Sequence, residues 1–326
     1  MTNILIFIIV ILVIATLVQI VRVGELLSEI KNKDVNEVSD KDNNTQGLLF
    51  LIVGFGFLIF VVWQMITWNH LLLPPASSVH GTQIDLLMKV SMGLIIVVFF
   101  ITSPMLFYFA FKYRGKKSNN AYFLSHNNKL EVVWTVIPTI ILTVLIIFGL
   151  KTWDNAMNVQ VTESTKLIEV YAKQYNWTAR YSGLDNKLGK ANYKLVKGKN
   201  TLGVDMLDIN SADDKMAREV HLVVNEPVLL KFRSQDVIHS AFLPHFRVQM
   251  NCVPGITTQF GFTPNKTTAQ MKESEGEDFE YVLLCNKICG ASHFNMQMKF
   301  IVETQEEYDI WIASQDNLEK KLLTQK

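Results

Sequence analysis

Four unbroken apolar stretches fill the first half of the chain, and an alternation of apolar and polar residues replaces them in the second half. The first stretch runs from Ile4 to Val21 and meets no charge until Arg22. The second spans Gly47 to Met65 and ends among the aromatics Trp63 and Trp68. The third runs from Val90 to Phe111 and stops at Lys112-Tyr113-Arg114-Gly115-Lys116-Lys117. The fourth, Val132 to Leu150, has Trp134 and Trp153 at its ends. Each is close to the ~20 residues that cross a bilayer as a helix, the form that satisfies its own backbone hydrogen bonds in lipid. Buried helices of a soluble protein would carry polar residues every second turn, and these stretches lack them, so four membrane spans are predicted. The first has neither the basic segment nor the small-residue cleavage site of a signal peptide and is expected to remain as a span.

Charge in the short connections orients these spans. Arg22, Lys31, Lys33 and Lys41 lie between the first and second, and Lys112, Arg114, Lys116, Lys117 and Lys129 between the third and fourth. The connection Asn69 to Asp85 has no lysine or arginine. Basic loops stay on the cytoplasmic side. Both termini and everything after Trp153 are therefore expected on the outer face, which in a bacterial inner membrane is the periplasm.

From Leu167 onward the period becomes two. Within Gln174 to Tyr181, the residues Tyr175, Trp177, Ala179 and Tyr181 share one face of a predicted strand. Val228, Leu230 and Phe232 alternate with Leu229 and Lys231, and Thr258 to Phe262 and Tyr281 to Leu284 also read as strands. Turn residues such as Asn225-Glu226-Pro227, Pro254-Gly255 and Gly276 separate them. Short strands of this kind predict an all-β sandwich or Greek-key barrel following the helical region. The polar stretch Gly183 to Asp214 reads as an insertion or long loop, and Gln305 to Lys326 as an amphipathic helix with a charged tail.

A formal net charge of +1 offers no surface for nucleic acid. The chemistry concentrates in Cys285-Asn286-Lys287-Ile288-Cys289-Gly290-Ala291-Ser292-His293-Phe294-Asn295-Met296, which holds two of the chain's 3 cysteines, a histidine and a methionine. A disulfide would close a very small ring and would leave His293 and Met296 without a role. Zinc takes cysteine and histidine without a thioether, whereas thiolate, thioether and imidazole together suit copper. A mononuclear blue-copper site needs a single cysteine, so the second points to two metals bridged by paired thiolates. Among the other histidines, His70 and His80 flank the outer loop, His126 is cytoplasmic on this topology and His221 sits in a strand pattern. His239 is expected to follow a strand and precede a turn, where cupredoxin-type sites take their upstream ligand.

Asp236-Val237-Ile238-His239-Ser240, Val253-Pro254-Gly255 and Cys-x3-Cys-Gly-x2-His-x2-Met together resemble subunit 2 of cytochrome c oxidase, from about Leu86 to Trp311. The resemblance implies a cupredoxin domain over about residues 160–304, carried on a two-helix hairpin at 81–153. Residues 1–70, with two further spans, lie outside the family's usual two-helix pattern, and 305–326 form a C-terminal helix and tail. It also implies a dinuclear copper centre, CuA, in which Cys285 and Cys289 bridge the metals. His239 and His293 each bind one copper, and Met296 and the Lys287 backbone carbonyl complete the set. Electrons would arrive from cytochrome c, or a cytochrome domain in a larger respiratory assembly, and leave for haem in a catalytic subunit that reduces oxygen to water with proton translocation. Glu131-Val132-Val133-Trp134-Thr135, leading to Pro138, resembles the family motif whose glutamate stands at a proton-channel mouth. Gln174-Tyr175-Asn176-Trp177 resembles its Gln-Trp-Tyr-Trp run, which makes Tyr175 and Trp177 candidates for electron entry.

Two departures stand out. Lys287 replaces the family's glutamate between the cysteines, and Asn251 stands where an aspartate is frequent. The interface magnesium or manganese site is therefore expected to be altered or absent. Cys252 is expected to be a buried free thiol, and with no Cys-x-x-Cys-His the chain should carry no covalent haem. A related quinol oxidase subunit would lack the copper ligands. A membrane-tethered copper carrier would need an exchangeable site and would leave Glu131 unexplained.

Overall fold

The computed structural model describes residues 2–30, 38–158, 161–162, 164–183 and 185–318. Four long helices come first: α1 (Thr2–Ile30), α2 (Asp40–Trp68), α3 (Val79–Lys112) and α4 (Asn128–Met157). All four are long and apolar enough to cross a membrane. Each outruns the apolar stretch that predicted it, because helical hydrogen bonding continues past the point where hydrophobicity stops. Helix α2 shows how, since Ser39 caps it reciprocally with Asp42 and a polar first turn becomes helical ahead of Gly47.

The chain divides into two compact units, Met1–Asn69 with Ile95–Asn127, and His70–Leu94 with Asn128–Lys326, so the division runs through α3. Within the first unit, α2 packs on the second half of α3. Phe107 lies flat against Gly54, where any Cβ would overlap its ring, and Phe50 meets Phe107 edge-on at 5.2 Å. Arg114 donates to Asn44 Oδ1 at 2.6 Å and the Lys117 backbone N–H to Asp40 at 2.9 Å. Helix α2 thus packs directly on α3. The described side chains of α1 are exposed from Ile6 onward apart from half-buried Ser28.

Among the described residues, the second unit contains ten strands in two five-stranded sheets. They are β1 (Lys166–Lys173), β2 (Asn176–Tyr181), β3 (Lys215–Ala217), β4 (Val220–Val223), β5 (Val228–Ser234), β6 (His239–Leu243), β7 (Val248–Cys252), β8 (Thr258–Phe262), β9 (Tyr281–Cys285) and β10 (Gln297–Glu303). One sheet has the order β3-β2-β1-β5-β8 and the other β4-β10-β9-β6-β7. Between them lies one apolar core containing Ile168, Val170, Trp177, Leu230, Phe232, Leu283 and Phe300. Parallel pairings of β1 with β5 and β10 with β4 accompany the antiparallel ones, a cupredoxin-like sandwich. Helix α5 (Thr268–Glu275) precedes β9, and α6 (Gln305–Ser314) follows β10. The charged tail expected beyond α6 lies largely outside the described residues.

Two details differ from the sequence expectation. Gln174 to Tyr181 is not one strand: the chain turns at Gln174-Tyr175, where Asp236 Oδ2 accepts the Gln174 N–H at 2.7 Å, and β2 starts at Asn176. His239 does not precede a turn but follows the one after β5, and it opens β6. Alternation reveals a strand's faces; its ends are set by which backbone groups find partners elsewhere.

The helical hairpin is locked to the sandwich within this unit. Ser78 donates to the Phe246 carbonyl at 2.7 Å, and Arg247 pairs with Asp85 at 2.8 Å. His80 is buried against Phe260 at 5.4 Å between ring centroids, and Ala156 near the end of α4 joins the core. The insertion between β2 and β3 is folded too. Arg180 bonds Glu169 and Asp214, each at 2.8 Å, and Arg233 bonds Glu169 at 2.6 Å, all beneath the insertion's chain. Leu202 and Val204 from the insertion pack with Tyr171, Met216 and Leu318 in a second, small core.

Candidate metal centre

Strand β9 ends at Cys285, and the chain then loops through Lys287, Cys289 and His293 before returning as β10. His239 faces this loop from the start of β6. The Cys285 N–H bonds the Met296 carbonyl at 3.1 Å and the Asn286 N–H the Ser240 carbonyl at 2.8 Å, so the loop's entry is held by the residue that leads into β10 and by β6.

The donor atoms form a continuous row. His239 Nδ1 lies 3.7 Å from Cys285 Sγ, which lies 3.9 Å from Cys289 Sγ, which in turn lies 3.6 Å from His293 Nδ1. Met296 Sδ is 3.9 Å from Cys289 Sγ, and the Lys287 carbonyl oxygen is 3.3 Å from Cys285 Sγ. All six candidate donors named from the sequence are thus brought together, and Lys287 contributes its backbone while its side chain is exposed. The two sulfurs stand well beyond the ~2.05 Å of a disulfide. Their spacing, with an imidazole at each end, leaves room for a metal between donors. Soft sulfur with imidazole fits copper by donor chemistry.

Burial, followed by the neighbouring Cys285, pushes the Cys289 thiol up to about 11. Without a cation that shift keeps the Cys289 sulfur protonated at neutral pH, and a bound metal reverses that preference. Cys252, opposite His239 in the β6–β7 register, is buried and free, and burial raises it to about 12. Its sulfur stays a thiol in the core.

The surroundings set the orientation of the donors. Asp236 Oδ1 accepts from His239 Nε2 at 2.9 Å, which leaves Nδ1 for the sulfur side. Burial works against the Asp236 charge, but the Gln174 N–H, His239 and the Val237 N–H hold its carboxyl below the ordinary value. Trp177 is 1% exposed, its ring centroid is 6.0 Å from that of His239, and its Nε1 donates to the Met296 carbonyl at 3.4 Å. Tyr175 is 37% exposed and its phenol oxygen accepts the Ala291 N–H at 2.9 Å. Of the two electron-entry candidates, only Tyr175 reaches the surface, because Trp177 alone belongs to the core face of β2. The sequence reading missed Asp236 as partner of His239 and Gln174 as donor to the Cys289 carbonyl. A carboxylate three residues before the histidine was the available signal for the first.

The remaining candidates lie elsewhere. His221 stacks on Trp311 at 3.8 Å and bonds Glu303 at 2.7 Å, and His245 packs edge-on against Phe279. Glu131 is in the first turn of α4, 30 residues of helix that end at the sandwich.

A sulfur–imidazole row with His239, Cys285 and Cys289 buried, at one end of a two-sheet sandwich carried on membrane-length helices, defines a membrane-borne cupredoxin-like protein. The transmembrane domain of cytochrome C oxidase subunit II matches residues 66–152 and its periplasmic domain residues 167–304, so the chain belongs to the cytochrome c oxidase subunit II family. The alternative cytochrome c oxidase subunit 2 of Bradyrhizobium diazoefficiens is 27% identical over 272 residues, covering 82% of this chain and 91% of that protein. Cytochrome c oxidase subunit 2 of Synechocystis is 25% identical over 285 residues, 82% of each chain. The crystal structure of the periplasmic domain of subunit II of cytochrome oxidase from Bradyrhizobium japonicum aligns with 50% of this chain and 99% of its own, at 24% identity and a TM-score of 0.33. This protein is accordingly part of an oxidoreductase complex, and the family implies copper.

Proposed function

We propose that this chain is the electron-entry subunit of its oxidase, receiving electrons from a cytochrome c and passing them to haem in the catalytic subunit. The observation that carries this reading is the row His239 Nδ1–Cys285 Sγ–Cys289 Sγ–His293 Nδ1, with neighbours 3.6–3.9 Å apart. Cys285 and Cys289 would bridge two coppers, His239 and His293 would each hold one, and Met296 and the Lys287 carbonyl would complete the set. When bound, two coppers bridged by thiolates supply a one-electron relay with the charge shared across both metals. The protein's part is to keep the donors still. Strands β6, β9 and β10 hold Cys285 and His239, Asp236 fixes the histidine tautomer, and Trp177 fills the space beneath. A cage that is already in place reorganises little, which suits electron transfer rather than bond-making.

Arrangement in the membrane follows the same reading. The hairpin's ends at Val79 and Met157 lie with the sandwich on the periplasmic side of a bacterial inner membrane, and Glu131, in the first turn of α4, is about 39 Å from Met157 on the cytoplasmic side. Glu131 serves as the proton-channel entrance to the catalytic subunit. Exchange of Glu131 for Ala is expected to slow oxygen reduction while leaving copper content unchanged, measured by oxygen uptake and metal analysis on the same preparation. With Lys287 and Asn251 in place of carboxylates, the interface magnesium or manganese site is altered or lost. The donor is a cytochrome domain held in a larger assembly; equal turnover of the isolated oxidase with any soluble cytochrome c would overturn that part.

Copper analysis with electron paramagnetic resonance on the purified complex tests the whole. Two coppers per chain in this centre sharing one delocalised spin are expected. A single copper, or a spin localised on one metal, would sink the dinuclear reading.

A further inference from the structure

Building on the copper reading above, we propose that the Gln174-Tyr175 turn is a strap that positions the Cys289–His293 half of the ligand loop, with the Tyr175 phenol oxygen as its principal acceptor. The two halves of the loop are held differently. Cys285 bonds Met296, the loop residue just before β10, and Asn286 bonds Ser240 of β6. Cys289, Gly290 and Ala291 lie outside any strand. The Cys289 carbonyl there receives the Gln174 side-chain amide, and the Ala291 N–H, 2.9 Å away, donates to Tyr175 Oη.

Gly290 shows how closely the strap approaches. Its φ is +147°, and a Cβ at this position would overlap the Tyr175 hydroxyl and crowd the Gln174 amide. The loop therefore presents bare backbone to the strap at the one residue between its two anchored groups. Asp236 ties the strap to the opposite end of the donor row, accepting the Gln174 N–H at 2.7 Å and His239 Nε2 at 2.9 Å. One carboxylate thus links the turn that holds Cys289 to the imidazole that faces Cys285.

Residue type decides the matter at position 175. A phenol oxygen both donates and accepts, an indole N–H only donates, and a phenyl ring does neither. The tryptophan seen in the resembling family run could not receive the Ala291 N–H. Tyrosine here is a change of hydrogen-bonding role and not a plain exchange of aromatic rings. Tyr175 is in this sense a positioning residue, acting on copper through the Cys289–His293 backbone.

The test compares Tyr175→Phe and Tyr175→Trp with the unaltered chain in the intact oxidase complex, and uses Tyr193→Phe, an exposed tyrosine of the insertion, as a control. Two quantities are read: the rate of copper loss to a Cu(I) chelator added to the reduced complex, and the copper hyperfine pattern of the centres still loaded. Loss of partners that orient metal ligands weakens metal binding by about 10- to 100-fold. Both position-175 variants are expected to release copper about tenfold faster, at the low end of that range, with a changed hyperfine pattern. Tyr193→Phe should match the unaltered chain. A Tyr175→Phe variant with unchanged release and unchanged hyperfine overturns the strap while leaving the copper reading intact. Should Tyr175→Phe fail to assemble, Tyr175→Trp decides alone, since it keeps a large ring and lacks the acceptor. An unaltered complex without a delocalised two-copper spin overturns both readings together.

Discussion

The β-sandwich holds two largely buried polar clusters, and they solve the problem of charge in a core in opposite ways. Glu169, Arg180, Asp214 and Arg233 form a set of two carboxylates and two guanidiniums that neutralises itself beneath the insertion. Cys285, Cys289, His239 and His293 form a set that carries no cation of its own. The first cluster is complete as folded and serves structure. The second has no counter-charge built in, and burial with the neighbouring Cys285 pushes its Cys289 thiol up. A buried charged group is stable when its counter-charge is built in; a functional site leaves the counter-charge out.

The largest separation of the two should come from Cys285→Ser. Loss of one bridging thiolate is expected to abolish the delocalised copper signal entirely, with metal content read on the purified complex. Unfolding of the metal-free protein should change little. Arg180→Met is the mirror experiment. It strands the buried carboxylates of Glu169 and Asp214, and removing one partner of a buried ion pair costs about 3–5 kcal/mol. A fall in the denaturant midpoint with the copper spectrum intact would bear out the division of labour. A lost copper spectrum would break it.

A smaller effect is expected from pH. Burial pushes Asp214 up from its ordinary 3.8 to about 6, although Arg180 pulls the other way. A carboxyl raised in the folded state binds its proton more tightly there than in the unfolded chain. Its contribution to stability is present in full below pH 3.8 and is lost as pH rises through about 6. Glu169 has the opposite sign. Burial opposes its charge, but Arg180 and Arg233 hold it below the ordinary value, so its contribution is present above that value and fades in acid. Asp214→Asn should remove the Asp214 component of the slope between about pH 4 and 6, measured by chemical denaturation across that range. Smallest of all is Lys287→Ala, for which copper content and spectrum should be unchanged because the backbone carbonyl, not the ammonium, faces Cys285.

The sulfur–imidazole cluster was legible in the sequence because most of its donors lie in one short loop and their spacing reflects local geometry. The helices were legible because lipid imposes a composition that few other environments require. The self-neutralising cluster was not. Glu169, Arg180, Asp214 and Arg233 are scattered over β1, β2, the insertion and β5; three look like residues on an exposed strand face and Asp214 like one in a polar loop. Arg180 alternates with Trp177 and Tyr181 in the way a solvated residue would, yet it is 2% exposed, because the insertion covers the face that alternation assigns to water.

By itself, then, the sequence determined the four apolar helices, the change to strand periodicity, and the kinds of donor that gather after β9. These depend on neighbours within a turn or two, or on solvent composition along a whole segment. Only the tertiary structure decided that His239 opens β6 and meets Cys285 from 46 residues away, that Asp236 serves both His239 and Gln174, and that Tyr175 reaches Ala291 across 116 residues. Such contacts arise where strands distant in sequence are placed side by side, and their geometry is set by the packing of the two sheets rather than by any local pattern.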